Sequence, residues 1–148
     1  MITTGLRRDF EMTPQEAYQI TRLEEKVFPE LEQIIFLELE QIILKSAEWS
    51  YRYASNILKD RWPEAEPIIA SHPKYAYKYA YFIVQERWPE GELSIRTDSE
   101  FAYFYAKNVI QGRWPEAEVV IMSSIWRAFY YKHFNINSSN HNWSKEGF

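Results

Sequence analysis

Apolar and small side chains recur along most of this chain three and four residues apart. Within 73–84 they fall at Tyr75, Ala76, Tyr79, Ala80, Ile83 and Val84, a spacing that gathers them on one face of a helix and that strand alternation would not produce. Proline then interrupts. Pro89 cannot continue that helix but suits the first position of another. Glu90 follows at once, placing negative charge at the positive end of the new helix. The same grammar surrounds Pro63 with Glu64 and Pro115 with Glu116. Each stretch reads as helix, tight turn, short helix, turn.

The grammar has a period. "RWPEAE" at 61–66 returns as "RWPEGE" at 87–92 and as "RWPEAE" at 113–118, at intervals of 26 residues. Aligned on the tryptophan, the units are 45–70, 71–96 and 97–122. A partial unit, 123–134, lacks the phrase. A degenerate unit, 16–44, has "VFPELE" (27–32) in the phrase's place. There "ELEQII" occurs at 30–35 and again at 38–43, a local duplication that would lengthen one helix by two turns. Ser71 before Pro73, and Thr97 with Glu100 three residues on, read as capping signals.

One hairpin cannot bury its apolar face alone, so such units must stack. The expected fold is all-α: helix-turn-helix repeats of 26 residues forming a short α-solenoid, a single domain over 1–134 followed by a polar tail, 135–148. Positions 53, 79, 105 and 131 are all tyrosine, and 51, 77, 103 and 129 read Tyr, Tyr, Tyr, Phe. Both sets are expected to form ladders through the stack, with Ala54, Ala80 and Ala106 removing bulk between them.

The repeated phrase has two readings. Arg61, Trp62 and Glu64, with their copies Arg87, Trp88, Glu90 and Arg113, Trp114, Glu116, could be three carboxylate-arginine sites. A catalytic constellation, however, is assembled once from non-equivalent residues in a cleft. Three copies at a fixed period point to building material. Tryptophan wedges the hairpin, proline starts the second helix, and arginine clamps a carboxylate across the turn or in the next unit.

Composition narrows the function classes. Aromatic residues make up 18% of 148 residues, while only four glycines are present, so tight strand turns are poorly supplied. Cysteine is absent, which removes disulfides, thiolate metal sites and a cysteine nucleophile. His72, His133 and His141 are scattered, and no H-E-x-x-H, phosphate loop or serine elbow occurs. An enzyme, a metal site and a cofactor are therefore not expected. Net charge is −4, with 8 basic and 13 acidic residues in 1–66 against 9 and 8 in 67–148. That balance argues against capture of DNA or RNA by the whole molecule. No apolar run reaches signal-peptide or membrane-span length, so the reading is cytoplasmic with no membrane partner.

The phrase in its context, "YASNILKDRWPEAE" (53–66), "YAYFIVQERWPEGE" (79–92) and "YAKNVIQGRWPEAE" (105–118), resembles short repeats of uncharacterised proteins from tailed bacteriophages and some bacteria. The resemblance covers 16–134 and brings no catalytic residues with it. It implies a small phage-type accessory protein, working in the host cytoplasm by binding a host protein such as a CRISPR-Cas or other immune effector.

Outward positions of the first helices are free to recognise such a partner. Helical angle selects 52, 55, 56 and 59 and their equivalents, which are polar in the first unit but mix rings with lysine later. Lys78, Tyr81, Phe82, Phe104, Lys107, Tyr130 and Phe134 are thus the candidate partner-binding residues. A second candidate is an acidic surface at Glu30, Glu32, Glu38 and Glu40. Two alternatives use the same region. A single-stranded nucleic acid could engage Lys78, Lys107, Arg127 and Lys132 beside Phe82, Phe104 and Tyr130. A homodimer could form through Trp126, Phe129 and Trp143 at the truncated end of the array.

Overall fold

The computed structural model describes residues 11–24 and 32–136, with the side chains of 24 and 32–35 excepted. Helix is the only regular structure among them. The chain divides into two compact units at the end of the 45–70 repeat, between Ile69 and Ala70, where the sequence alone reads as one domain. The first unit holds α1 (Pro14–Glu24), α2 (Glu32–Ile43), α3 (Ala47–Tyr53) and the start of α4 (Glu66–Ala70). The second holds α5 (Pro73–Tyr79), α6 (Pro89–Ile95), α7 (Ser99–Tyr105), α8 (Pro115–Met122) and α9 (Arg127–His133).

Local chemistry explains the ends of these helices. Thr13 and Glu16 form a capping box on α1: the Glu16 N–H donates to Thr13 Oγ1 (3.2 Å) and the Thr13 N–H to Glu16 Oε2 (2.8 Å). At α7 the cap is Asp98, whose carboxylate accepts from the N–H groups of Glu100 (3.0 Å) and Phe101 (3.2 Å). The expected Thr97–Glu100 box does not form, because the Thr97 hydroxyl turns back to donate to the Ser94 carbonyl. His72, rather than Ser71, precedes α5, with Pro73 at its first turn.

Each first helix ends in a way the residues do not advertise. After α3, α5 and α7 the backbone widens into a π turn, at Ala54–Leu58, Ala80–Val84 and Ala106–Ile110. The next N–H reaches back five residues, as from Gln85 to the Ala80 carbonyl (2.8 Å). That residue then turns left-handed: Lys59, Gln85 and Gln111 have φ of 55°, 60° and 56°. Glycine is the usual occupant of such a position, so the signal is silent here.

The core repeats with the chain. Trp62, Trp88 and Trp114 are buried, and each packs on the tyrosine nine residues before it, Tyr53, Tyr79 and Tyr105, at ring-centre distances of 4.8, 4.9 and 5.0 Å. Beneath them Ala65, Ile69, Gly91, Ile95, Ala117 and Ile121 are buried along the second helices. Ser50, Ala54, Ala76, Ala80, Ala102 and Ala106 are buried small residues on the first helices. The indole nitrogens of Trp88 and Trp114 are buried without a hydrogen-bond partner among the described residues. These rings are held by packing alone, against a desolvation cost of about 1–3 kcal/mol each.

A polar junction ties consecutive hairpins together in the second unit. The Trp88 backbone N–H donates to the Tyr105 hydroxyl (2.7 Å), which donates to Glu92 Oε1 (2.8 Å). Glu92 takes two further bonds from Arg87, each 2.9 Å. The arrangement recurs at Trp114, Tyr130, Glu118 and Arg113, with bonds of 2.7–2.9 Å. In the first unit Arg61 holds Glu66 by the same two-pronged pair (2.8 and 2.9 Å), and Tyr53 donates to Glu40 (2.8 Å). The clamped carboxylate is therefore the second glutamate of the phrase. The first, Glu64, Glu90 or Glu116, points into solvent at the helix start, one residue after the proline and unable to face back over the turn.

Two register corrections follow. Tyr130, not Tyr131, takes the place of Tyr105, so the last interval is one residue shorter than 26. The cause lies at the entry to α9. A Ser124-centred turn, whose hydroxyl accepts from the Trp126 N–H (3.1 Å), replaces the extended cap that Asp98 provides for α7. Upstream, Glu40 stands 26 residues before Glu66, and Leu39 and Ile43 are buried as Ala65 and Ile69 are. The phrase's place is thus filled by the second "ELE" on α2. "VFPELE" (27–32) lies outside the described residues, apart from the backbone of Glu32.

Two outcomes check this account. Gln85→Gly should stabilise the protein by about 0.5–1 kcal/mol in urea denaturation, by relieving a left-handed side chain. Tyr105→Phe should cost about 1–3 kcal/mol, because the Trp88 N–H loses its buried acceptor. Burial pushes the Glu92 carboxyl up, but bonds from Arg87 and Tyr105 more than offset this and hold it below the ordinary range. Its contribution is therefore complete above its unfolded pKa and lost as pH falls through the lower folded value. A pH series of denaturation curves should show a shallower acid limb for Glu92→Gln.

Candidate protein-binding surface

Helical geometry turns neighbours of the buried tyrosines outward. On α5 and its π turn, Tyr79 is buried while Tyr77, Tyr81 and Phe82 lie to the other side. On α7, Tyr105 is buried while Phe101 and Phe104 are half-buried. These outer rings touch one another. Phe82 meets Tyr81 edge-on at 4.8 Å, and Tyr81 lies near-parallel to Tyr77 at 6.0 Å and 17°. Tyr77 in turn faces Phe104 at 6.1 Å and 27°. Phe104 meets Trp126 at 5.2 Å, and Trp126 meets Phe129 at 5.4 Å. An aromatic strip thus runs across three helices of the second unit.

Its ends are open to solvent. Tyr81, Phe82 and Phe129 are 41%, 55% and 55% exposed, and Ile125 beside Trp126 is 81% exposed. The middle is fixed from beneath. Asn108 Nδ2 donates to the Tyr77 hydroxyl (2.8 Å), and Tyr103, buried, lies against Trp126 at 5.3 Å and 21°. Burial pushes the Tyr77 phenol above its ordinary value, so it stays neutral across physiological pH. Beside Tyr81 and Phe82 the π turns flank an open cleft of about 400 Å³, lined further by Gln85, Asn108, Val109 and Gln111. Its amides offer donors and acceptors next to an apolar wall, a mixture suited to polypeptide.

The candidate residues divide accordingly. Tyr81 and Phe82 are exposed, Phe104 is the half-buried middle of the strip, and Lys78 is half-buried on α5. Lys107 holds its ammonium 5.9 Å from the centre of the Tyr103 ring. Tyr130 is a correction: it is fully buried, with its hydroxyl committed to Trp114 and Glu118, because α9 is shifted by one residue. Phe134 is half-buried against Tyr130 and His133 at 4.7 Å and lies apart from the strip's ring contacts. In the acidic candidate, Glu38 is exposed, whereas Glu40 is half-buried as the acceptor of Tyr53, so the surface loses that member. Glu30 and the side chain of Glu32 lie outside the described residues.

Sequence reasoning does not single out Tyr77 as a surface ring, and it offers Trp126 and Phe129 only for a homodimer. Tyr77 and Phe129 also belong to one of the two expected ladders, and only contacts between helices separate an inner ring from an outer one. Among the described residues no group of three His, Asp or Glu side chains could hold a metal ion, and no helix is long and apolar enough to cross a membrane. The chain matches no protein-family model, no curated protein and no solved structure.

Exposure and packing separate the strip's members energetically. Phe82→Ala should change stability by no more than about 0.5 kcal/mol. Phe104→Ala should cost about 2 kcal/mol, as half-buried ring area is lost. Paired chemical denaturation curves distinguish the two.

Proposed function

We propose that this chain is a non-enzymatic protein-binding module. In this reading its hairpins stack as a short α-solenoid that displays the aromatic strip to a protein partner. The contiguous run of rings from Phe82 to Phe129, open at both ends, carries the proposal. Joined exposed rings mark interaction sites, whereas scattered ones do not. The arginines and second glutamates of the repeated phrase are bonded to one another and to tyrosines, which supports a scaffold role for them. The likeness of the phrase to phage repeats extends the proposal. The protein is then an accessory factor that binds, and by binding inhibits, a host protein such as an immune effector, in the host cytoplasm.

Affinity capture from a bacterial lysate, comparing the wild-type chain with a Phe82→Ala/Phe129→Ala variant, tests the reading. A reproducible protein retained by the wild type and lost by the folded variant is expected. Capture that ignores the substitutions, or that yields nothing reproducible, sinks it.

A further inference from the structure

Helices α5, α7 and α9, with the π turns that follow α5 and α7, each place a lysine three residues from a ring of the strip. The pairs are Lys78 with Tyr81, Phe104 with Lys107, and Phe129 with Lys132. Phe129 and Lys132 lie within α9, where residues three apart share a helix face, and Lys107 holds its ammonium 5.9 Å from the centre of the Tyr103 ring. The last two pairs are equivalent positions once Tyr130 sets the register of α9. Neither Lys107 nor Lys132 is paired with a carboxylate among the described residues.

The unit's charge is segregated by helix. Helices α5, α7 and α9, with their π turns, carry Lys74, Lys78, Lys107, Arg127 and Lys132 against Glu100 alone. Helices α6 and α8 carry Glu90, Glu92, Glu116 and Glu118, of which Glu92 and Glu118 are clamped by arginine. The strip is thus built on the helices that carry the excess of lysine and arginine, within a chain of net charge −4.

Ring orientation narrows the class of partner. Tyr77 has Tyr81 and Phe104 against it at 17° and 27°, and Tyr103 has Trp126 against it at 21°. These near-parallel neighbours crowd the ring faces in the middle of the strip, where a nucleobase would need an open face to stack on. Aliphatic and aromatic side chains can instead pack against Phe82 and Phe129, each 55% exposed.

We infer that the strip docks an acidic segment of a protein partner, with apolar anchors seated on Phe82 and Phe129 and Asp or Glu carboxylates paired with Lys107 and Lys132. The inference rests on the proposed protein-binding function and names its partner's chemistry. A random-peptide display selection on the full chain tests it, followed by affinities measured by fluorescence anisotropy. Enriched peptides should be acidic and contain a leucine or an aromatic residue. Their affinity should fall roughly tenfold with Lys107→Glu/Lys132→Glu, and fall again as salt is raised. Neutral or basic peptides that still require Phe82 and Phe129 overturn the acidic partner and leave the docking surface standing. An absence of enrichment, or binding indifferent to Phe82→Ala/Phe129→Ala variants that keep wild-type circular dichroism, overturns both. Displacement of the peptides by an oligothymidylate transfers the strip to single-stranded nucleic acid and also overturns the inference.

Discussion

The tyrosine hydroxyl between a backbone N–H and a carboxylate governs how hairpins meet in the second unit. Tyr105 and Tyr130 each accept from the amide of a tryptophan at a helix start and donate to a glutamate four residues further on. A buried N–H must be satisfied, and here its acceptor comes from the following hairpin. The glutamate is itself held by two bonds from arginine. Four groups from two hairpins are thereby placed relative to one another within hydrogen-bond tolerance. Burial pushes both phenols well above their ordinary value, so the donor stays protonated at any pH the protein would meet.

That junction also decides which aromatic residues are left for other work. With Tyr105 committed inward, the residue before it, Phe104, must emerge about a quarter-turn away around the helix. The same quarter-turn carries Phe129 away from Tyr130, while Tyr77, two residues before Tyr79, lies on the opposite side of its helix from that buried ring. The chain's high aromatic content thus serves two rows. One pairs tyrosine with tryptophan in the core at nearly constant ring distances, and the other forms the outer strip. The core row tolerates little change in spacing, because its hydroxyls are bonded at fixed points. Across its three helices the strip varies from Tyr81 and Phe82 to Phe104 to Phe129, as a surface relieved of that constraint can.

The π turns supply the remaining geometry. Each ends a first helix with one extra residue, closes on a left-handed Lys59, Gln85 or Gln111, and lets the chain reverse before the tryptophan. Strain of this kind persists where surrounding contacts determine the conformation, and the buried tryptophan and clamped glutamate that follow do so. In the second unit the same turns flank the cleft beside Tyr81 and Phe82. The open end of the strip is therefore positioned by the most tightly specified part of the repeat.

Helical period, the prolines that restart each second helix, and the burial of the three tryptophans were legible in the residues, because each depends on local spacing and on what one side chain can or cannot do. The choice of Glu92 over Glu90 for Arg87 was not, since both glutamates recur in every copy of the phrase and only the path of the turn separates them. Nor could the sequence reveal the π turns, whose left-handed positions hold lysine and glutamine where glycine would have given notice. The one-residue slip at Tyr130 and the outward rotation of Phe129 depend on how α9 enters from Ser124, a contact between segments that no periodicity encodes. Sequence alone determined that this chain makes helical hairpins and which residues can be buried. Tertiary structure decided which rings face each other and which face solvent, because that depends on distances between helices, and the spacing of residues along one helix does not contain them.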